Sequence, residues 1–315
     1  MTTSTRRDAT FASVNPGVHD GLRMDALRLA LLLITLAAHP APAAHPAQAP
    51  RAGLDAYSGT GAWIDRYDYA TLGDPEVAAG EMAIHGVRTL YVETASWKVR
   101  RSADFADPVA TAGLIDAAHA NGMRVVAWYL PGLVDRALDM RRIRAALQFT
   151  TPDGQRFDSF ALDIEATLVS PVWRRNLSLL RLSRELRRTA GDDYALGAIV
   201  PDQLSTSYGN VLWPGFPYRA LAATYDVFLP MAYSSFGRAA SASGVYDYTA
   251  RNIAYVQDVT HRPVHVIGGL AGNVSADAEA AVVHAARDVG AYGVSLYKYA
   301  RYDPASWTAL ADFGP

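Results

Sequence analysis

The chain has 315 residues, 50% of them hydrophobic and 19% charged, with a formal net charge of −2. That length can bury one large core, and the balanced charge disfavours a nucleic-acid partner, because phosphate recognition wants a basic face. Cysteine is absent, which excludes disulfides, thiolate nucleophiles, Cys-ligated zinc and a lipidated N-terminal Cys.

Residues 1–23 are polar and aperiodic. Met24-Asp25-Ala26-Leu27-Arg28 then leads into the aliphatic run Leu29–Ala38, followed by small-residue segments at Ala41-Pro42-Ala43 and Ala47-Gln48-Ala49. A charged start, a short apolar run and small residues after it predict a secretory signal peptide near 24–49, hence a secreted protein. The run is short for a membrane span, although an uncleaved run of this kind can anchor; no stable membrane insertion is expected. Met24 reads as the true start, with 1–49 as N-terminal extension plus signal peptide. Residues 50–60 continue an Ala/Pro-rich linker, and 61–315 form the folded domain.

From residue 61 strand and helix signals alternate. Strands are predicted at 62–64, 89–94, 124–130, 160–165, 195–200, 226–233, 264–268 and 293–297, from β-branched and aromatic runs bounded by turn residues. Helices are predicted from Asp74-Pro75 to Gly86, from Val109 to Asn121-Gly122, over 139–149 with Arg141, Arg142 and Arg144 outward, from Ser170-Pro171 to Ala190-Gly191, near 217–223, over 246–260, from Ser275 to Val289, and near 304–311. Eight strands alternating with helices predict a closed (β/α)8 TIM barrel. An open doubly wound sheet is the alternative; no G-x-G-x-x-G follows any strand to favour it.

A barrel of this kind does its chemistry at the C-terminal strand ends. Trp63, Glu93, Trp128, Asp163, Glu165, Asp202, Met231, Tyr233 and Tyr297 stand at those ends. Aromatic platforms with a few acids suit sugars, which present apolar C–H faces and a rim of hydroxyls; a core role accounts for any single aromatic equally well. Asp163 and Glu165 close the apolar run that begins at Phe157, and their i, i+2 spacing on a strand puts both on one face about 6.6 Å apart. Cleaving a glycosidic bond takes an acid to protonate the leaving oxygen and a second group at the anomeric centre. Glu165 is therefore assigned as general acid/base and Asp163 as its partner. The alternative is that Glu165 caps the next loop while Asp163 binds backbone amides.

The stretch Asp158-Ser159-Phe160-Ala161-Leu162-Asp163-Ile164-Glu165 resembles the fourth-strand motif of chitinase-like (family 18-type) glycoside hydrolases, D-G-x-D-x-D-x-E, matching three of its acids at Asp158, Asp163 and Glu165. Leu229-Pro230-Met231-Ala232-Tyr233-Ser234 resembles that family's M-x-Y-D segment, whose Tyr holds the substrate's N-acetyl group. The resemblance implies a divergent glycosidase barrel acting on a polysaccharide or cell-wall glycan, with Asp158, Met231 and Tyr233 on the substrate side. Two acids of the pattern are replaced, by Ala161 and Ser234, and the second replacement weakens the substrate-assisted mechanism. A D-x-E on the fourth strand also occurs in Chalaropsis-type lysozymes. The rival expectation is a barrel that binds glycan without cleaving it.

No metal or other cofactor is expected: His85 and His119 sit near helix ends, and His261 and His265 lie at a helix-to-strand junction away from the strand C-termini. No G-x-S-x-G offers a serine nucleophile. A carbohydrate substrate and a monomeric chain are expected. The segments 201–225 and 234–246 are the expected groove walls.

Overall fold

The computed structural model describes residues 51–69, 73–204, 209–234 and 241–314. Its strands are β1 (Gly59–Ile64), β2 (Thr89–Ser96), β3 (Arg124–Leu130), β4 (Ser159–Asp163), β5 (Leu196–Pro201), β6 (Val227–Met231), β7 (His265–Gly269) and β8 (Gly293–Tyr297). All pair in parallel with their sequence neighbours, and β8 pairs with β1, closing the barrel. The helices among the described residues are α1 (Pro75–Ile84), α2 (Pro108–Ala120), α3 (Arg136–Gln148), α4 (Val172–Ala190), the single turns α5 (Gly209–Leu212) and α6 (Tyr218–Leu221), then α7 (Ala242–Thr260), α8 (Ala276–Asp288) and α9 (Pro304–Ala311).

Local chemistry explains most of the boundaries. Side chains of Asp74, Asp107, Asp135, Ser241, Ser275 and Asp303 accept hydrogen bonds from the first free N–H groups of their helices, satisfying donors that would otherwise be orphaned. Several details differ from the sequence expectation. Helix α3 begins at Arg136 because Asp135 caps it; Asp139 is instead buried and accepts from Tyr129 Oη, Gly132 N and Leu133 N. Arg142 points inward, 1% exposed, and donates to the carbonyls of Ser96, Val99, Arg100 and Ala103. Strand β4 stops at Asp163, so Glu165 lies just beyond the ladder.

The expected linker is also part of the fold. Ala52 bridges Tyr194, and a 3₁₀ turn at Leu54–Tyr57 buries Ala56 and Tyr57 under the barrel. The Tyr57 hydroxyl donates to Phe160 O at 3.0 Å and accepts from Ser159 Oγ at 2.8 Å. Two glycines make room at this end: a Cβ at Gly197 would lie 2.7 Å from the Tyr57 hydroxyl, and one at Gly61 2.6 Å from the Tyr91 ring. The predicted signal peptide falls outside the described residues. Among the described residues no helix is long and apolar enough to cross a membrane.

Strand tilt places side chains at equal height about one residue further along on each successive strand. Carrying the observed pairings around the barrel on that basis stacks the interior in rings of four. Gly61, Val126, Gly197 and His265 lie lowest. Tyr91, Ala161, Leu229 and Ser295 follow, then Trp63, Trp128, Ile199 and Ile267. The top ring is Glu93, Asp163, Met231 and Tyr297. Contacts between rings fit this order: Trp63 stacks on Tyr91 with centroids 4.1 Å apart, and its Nε1 donates to Ser295 Oγ at 2.7 Å. The Ser295 hydroxyl meets His265 Nε2 at 3.0 Å, and His265 Nδ1 meets Tyr57 O at 2.9 Å. Burial pushes His265 down to about 4, so the neutral ring donates at Nδ1 and accepts at Nε2, a connector inside the core.

Candidate active site

The top ring forms the wall of a cavity of about 170 Å³ at the C-terminal mouth, and the Trp63–Trp128 ring forms its floor. Trp63 and Trp128 meet edge to face, centroids 5.9 Å apart. Above the wall, the chain leaving each strand adds Asp65, Arg66 and Tyr67 after β1, Lys98 after β2, Glu165 after β4 and Tyr233 after β6. Eight of the residues selected from sequence therefore converge: Trp63, Glu93, Trp128, Asp163, Glu165, Met231, Tyr233 and Tyr297 all line one cavity.

Two selected residues do not join them. Asp158 precedes β4 and lies at the opposite end of the barrel, where it accepts from Val125 N at 2.8 Å, His119 Nε2 at 2.9 Å and Arg124 Nη1 at 3.1 Å. It ties the bottom loops together and cannot reach a substrate at the mouth. Asp202 follows β5 but is fully buried behind the sheet, beside Tyr218 and Tyr248. Ile199 faces the cavity, and strand alternation turns residue 202 to the other side.

Three carboxyls share the mouth. Asp163 is 7% exposed; burial first, then the charges of Glu165 and Glu93, push its carboxyl well above the ordinary range. Glu93, one position round the same ring, is pushed up to about 7 by burial, with Asp65 adding to the rise and the Arg66 N–H, 2.9 Å from Oε2, opposing it. Close acids in a dry site hold protons that either would release in water. A fourth acid, Asp65, goes the other way. Burial alone would raise it, but hydrogen bonds from Lys298 Nζ and Tyr297 Oη, both 2.8 Å from Oδ2, outweigh that and hold it below the usual range. Lys298 also donates to Asp68 Oδ1 at 2.6 Å. Asp65 is thus held toward its ionised form as an anchor for the rim, while Asp163 and Glu93 are pushed toward their protonated forms.

Two buried polar atoms on this lining, Trp128 Nε1 and Asp163 Oδ1, have no hydrogen-bond partner among the described residues. Each such atom calls for an explanation, and at a cavity wall a bound ligand is one that completes the bonding. The sequence reading passed over Arg66 and both lysines as site residues. A usable signal existed, because the chain's only two lysines, Lys98 and Lys298, both stand at this mouth. Among the described residues no cluster of three or more His, Asp or Glu is placed to hold a metal ion. Within the expected groove walls, residues 205–208 and 235–240 lie outside the described residues.

No protein-family model and no curated protein matches the sequence. Solved structures match its fold. The endo-β-1,4-mannanase of Thermotoga petrophila superposes with a TM-score of 0.61 at 10% identity, over 81% of this chain and 76% of that one. The spore cortex-lytic enzyme SleL of Bacillus cereus gives 0.60 at 13% identity, over 82% and 75%. A class V chitinase from Pseudomonas fluorescens Pf-5 gives 0.59 at 13% identity, over 81% and 99%. At these identities the likeness is one of fold.

Proposed function

We propose that this chain is a secreted glycoside hydrolase cleaving O-glycosidic bonds of a polysaccharide or cell-wall glycan, with Glu165 as general acid/base and Asp163 as its partner. The observation that carries the reading is the cavity itself: Glu93, Asp163 and Glu165 converge over an aromatic floor that still offers an unpaired N–H at Trp128 and an unpaired oxygen at Asp163. The matched structures, whose names place them on mannan, chitin and spore cortex, support the same chemistry. In this scheme Glu165 protonates the leaving oxygen. Asp163, whose carboxyl burial and the neighbouring acids push well above the ordinary range, hydrogen-bonds either Glu165 as it ionises or a substrate oxygen. The Trp63–Trp128 floor excludes water below the sugar and receives its apolar face.

Ala161 lies in the ring beneath the two tryptophans, level with Tyr91 and two residues below Asp163 on the same face, so it does not itself line the cavity. The test is a screen of the purified protein on mannan, chitin and peptidoglycan, alongside Glu165→Gln. Loss of turnover by about 10²- to 10⁴-fold is expected for removing a general acid. Unchanged turnover in that variant, or no turnover of any polymer by the native protein, defeats the proposal.

A further inference from the structure

Two cations at the rim of the cavity form no ion pair with any acid among the described residues. Arg66 and Lys98 both line it, yet among the described residues no carboxylate oxygen comes within 4.0 Å of either. Lys298, by contrast, is fully engaged by Asp65 and Asp68. The two rim cations share a second feature. The Arg66 guanidinium sits 4.3 Å from the centroid of Tyr67, which is 61% exposed, and Lys98 Nζ sits 5.5 Å from the centroid of Trp97, which is 38% exposed. A third pair, Arg174 over the exposed ring of Trp173 at 5.1 Å, stands at the start of α4 on the same end of the barrel.

An aromatic face with a cation held against it suits a sugar ring that has an apolar C–H face and an anionic substituent on its edge. A neutral glycan would use the rings and leave the cations idle. The molecule as a whole does not attract polyanions, with a net charge of −2 and an isoelectric point near 6.4, so a preference for anions has to be local. The facing acids leave room for one. Of the acids around Arg66 and Lys98, Asp65 is paired with Lys298, and burial pushes the carboxyls of Asp163 and Glu93 toward their neutral forms.

We propose that the glycan taken by this site carries carboxylate groups, as in a uronic acid or a lactyl-ether sugar, and that Lys98 and Arg66 select it by pairing with that carboxylate beside Trp97 and Tyr67. The inference rests on the glycoside hydrolase reading for turnover, but not for binding. Lys98 lies on an exposed turn after β2, so replacing it leaves the fold intact.

The experiment has two arms. In native gels cast with polygalacturonate, hyaluronan, galactomannan or glycol chitin, the native protein is expected to be retarded most by the two acidic polymers. That retardation should weaken as salt rises and be lost in Lys98→Met and Arg66→Gln. In the second arm kcat/KM is measured on the best acidic and the best neutral oligosaccharide. The acidic-to-neutral ratio is expected to fall about 10- to 100-fold in Lys98→Met, in line with the loss of a charge-assisted contact; the ratio cancels any effect of Lys98 on the catalytic acids that both substrates share. Stronger retardation by neutral polymers, or ratios unchanged in both variants, overturns the inference. Retardation by acidic polymers without cleavage of any polymer removes the hydrolase reading and leaves the inference standing.

Discussion

Glu93 gives a test of the site that needs no substrate. The residue is 3% exposed and its carboxyl is pushed from 4.5 up to about 7. The folded chain therefore holds this proton more tightly than the unfolded chain does. Stability from this group is complete below about pH 4.5 and declines as pH rises through about 7. At 1.36 kcal/mol per pKa unit, the difference between 4.5 and about 7 amounts to about 3 kcal/mol lost between pH 4 and pH 8. Glu93→Gln keeps the shape and a carbonyl oxygen for the Arg66 N–H but has nothing to ionise. The variant and the native protein should be about equally stable at pH 4.5, and the variant should be more stable by about 3 kcal/mol at pH 8.5. Asp163 titrates in both proteins, and removing the neighbouring charge eases its own ionisation, which shifts the comparison in the same direction. Urea unfolding at four pH values between these limits measures the difference. If it stays constant with pH, Glu93 is not held protonated by its surroundings, and the account of the three-carboxyl mouth fails with it.

Lys298→Met leaves Asp65 and Asp68 buried without their cation and should lower unfolding free energy by about 3–5 kcal/mol in urea; a loss below 1 kcal/mol would show that the cluster is solvated. Asp158→Asn removes the carboxylate that holds His119 and Arg124 at the far end of the barrel. It should cost about 1–3 kcal/mol at neutral pH without changing kcat. Burial would raise Asp158, but the hydrogen bonds from His119 and Val125 N together with the charges of His119 and Arg124 outweigh it and hold the carboxyl below the ordinary range, so that stability is present above its unfolded pKa and disappears as pH falls through the folded one; a melting series toward acid pH should show the native advantage vanish.

Much of this protein is legible in its sequence because the signals are local. Strand and helix alternation, Asp or Ser before helices, and turn residues after them depend on neighbours in the chain, and they yielded the barrel and its order. The acids of the fourth strand were found the same way, since an apolar run ending in two carboxylates is unusual whatever surrounds it. The errors have a common physical origin. The family motif points to Asp158 and nearness to a strand end points to Asp202, but the end of the strand and the side faced by the side chain decide access, and both depend on register and parity across the sheet. The charge of Arg142 predicts an outward side chain, whereas the carbonyl of Ser96 at the end of β2 and those of Val99, Arg100 and Ala103 in the loop after it offset the cost of its burial.

What only the tertiary structure decided is the company each charge keeps. Glu93 and Asp163 are 70 positions apart in the chain and neighbours in one ring because strand tilt brings β2 and β4 to the same height there. That neighbourhood, with a dry tryptophan floor beneath it, keeps protons on acids that the sequence alone would leave ionised. It also separates the two lysines, one locked between aspartates and one left at the rim. Sequence determines which groups are available, and the closed barrel determines which of them are charged, because desolvation and pairing act through distances that the linear chain does not contain.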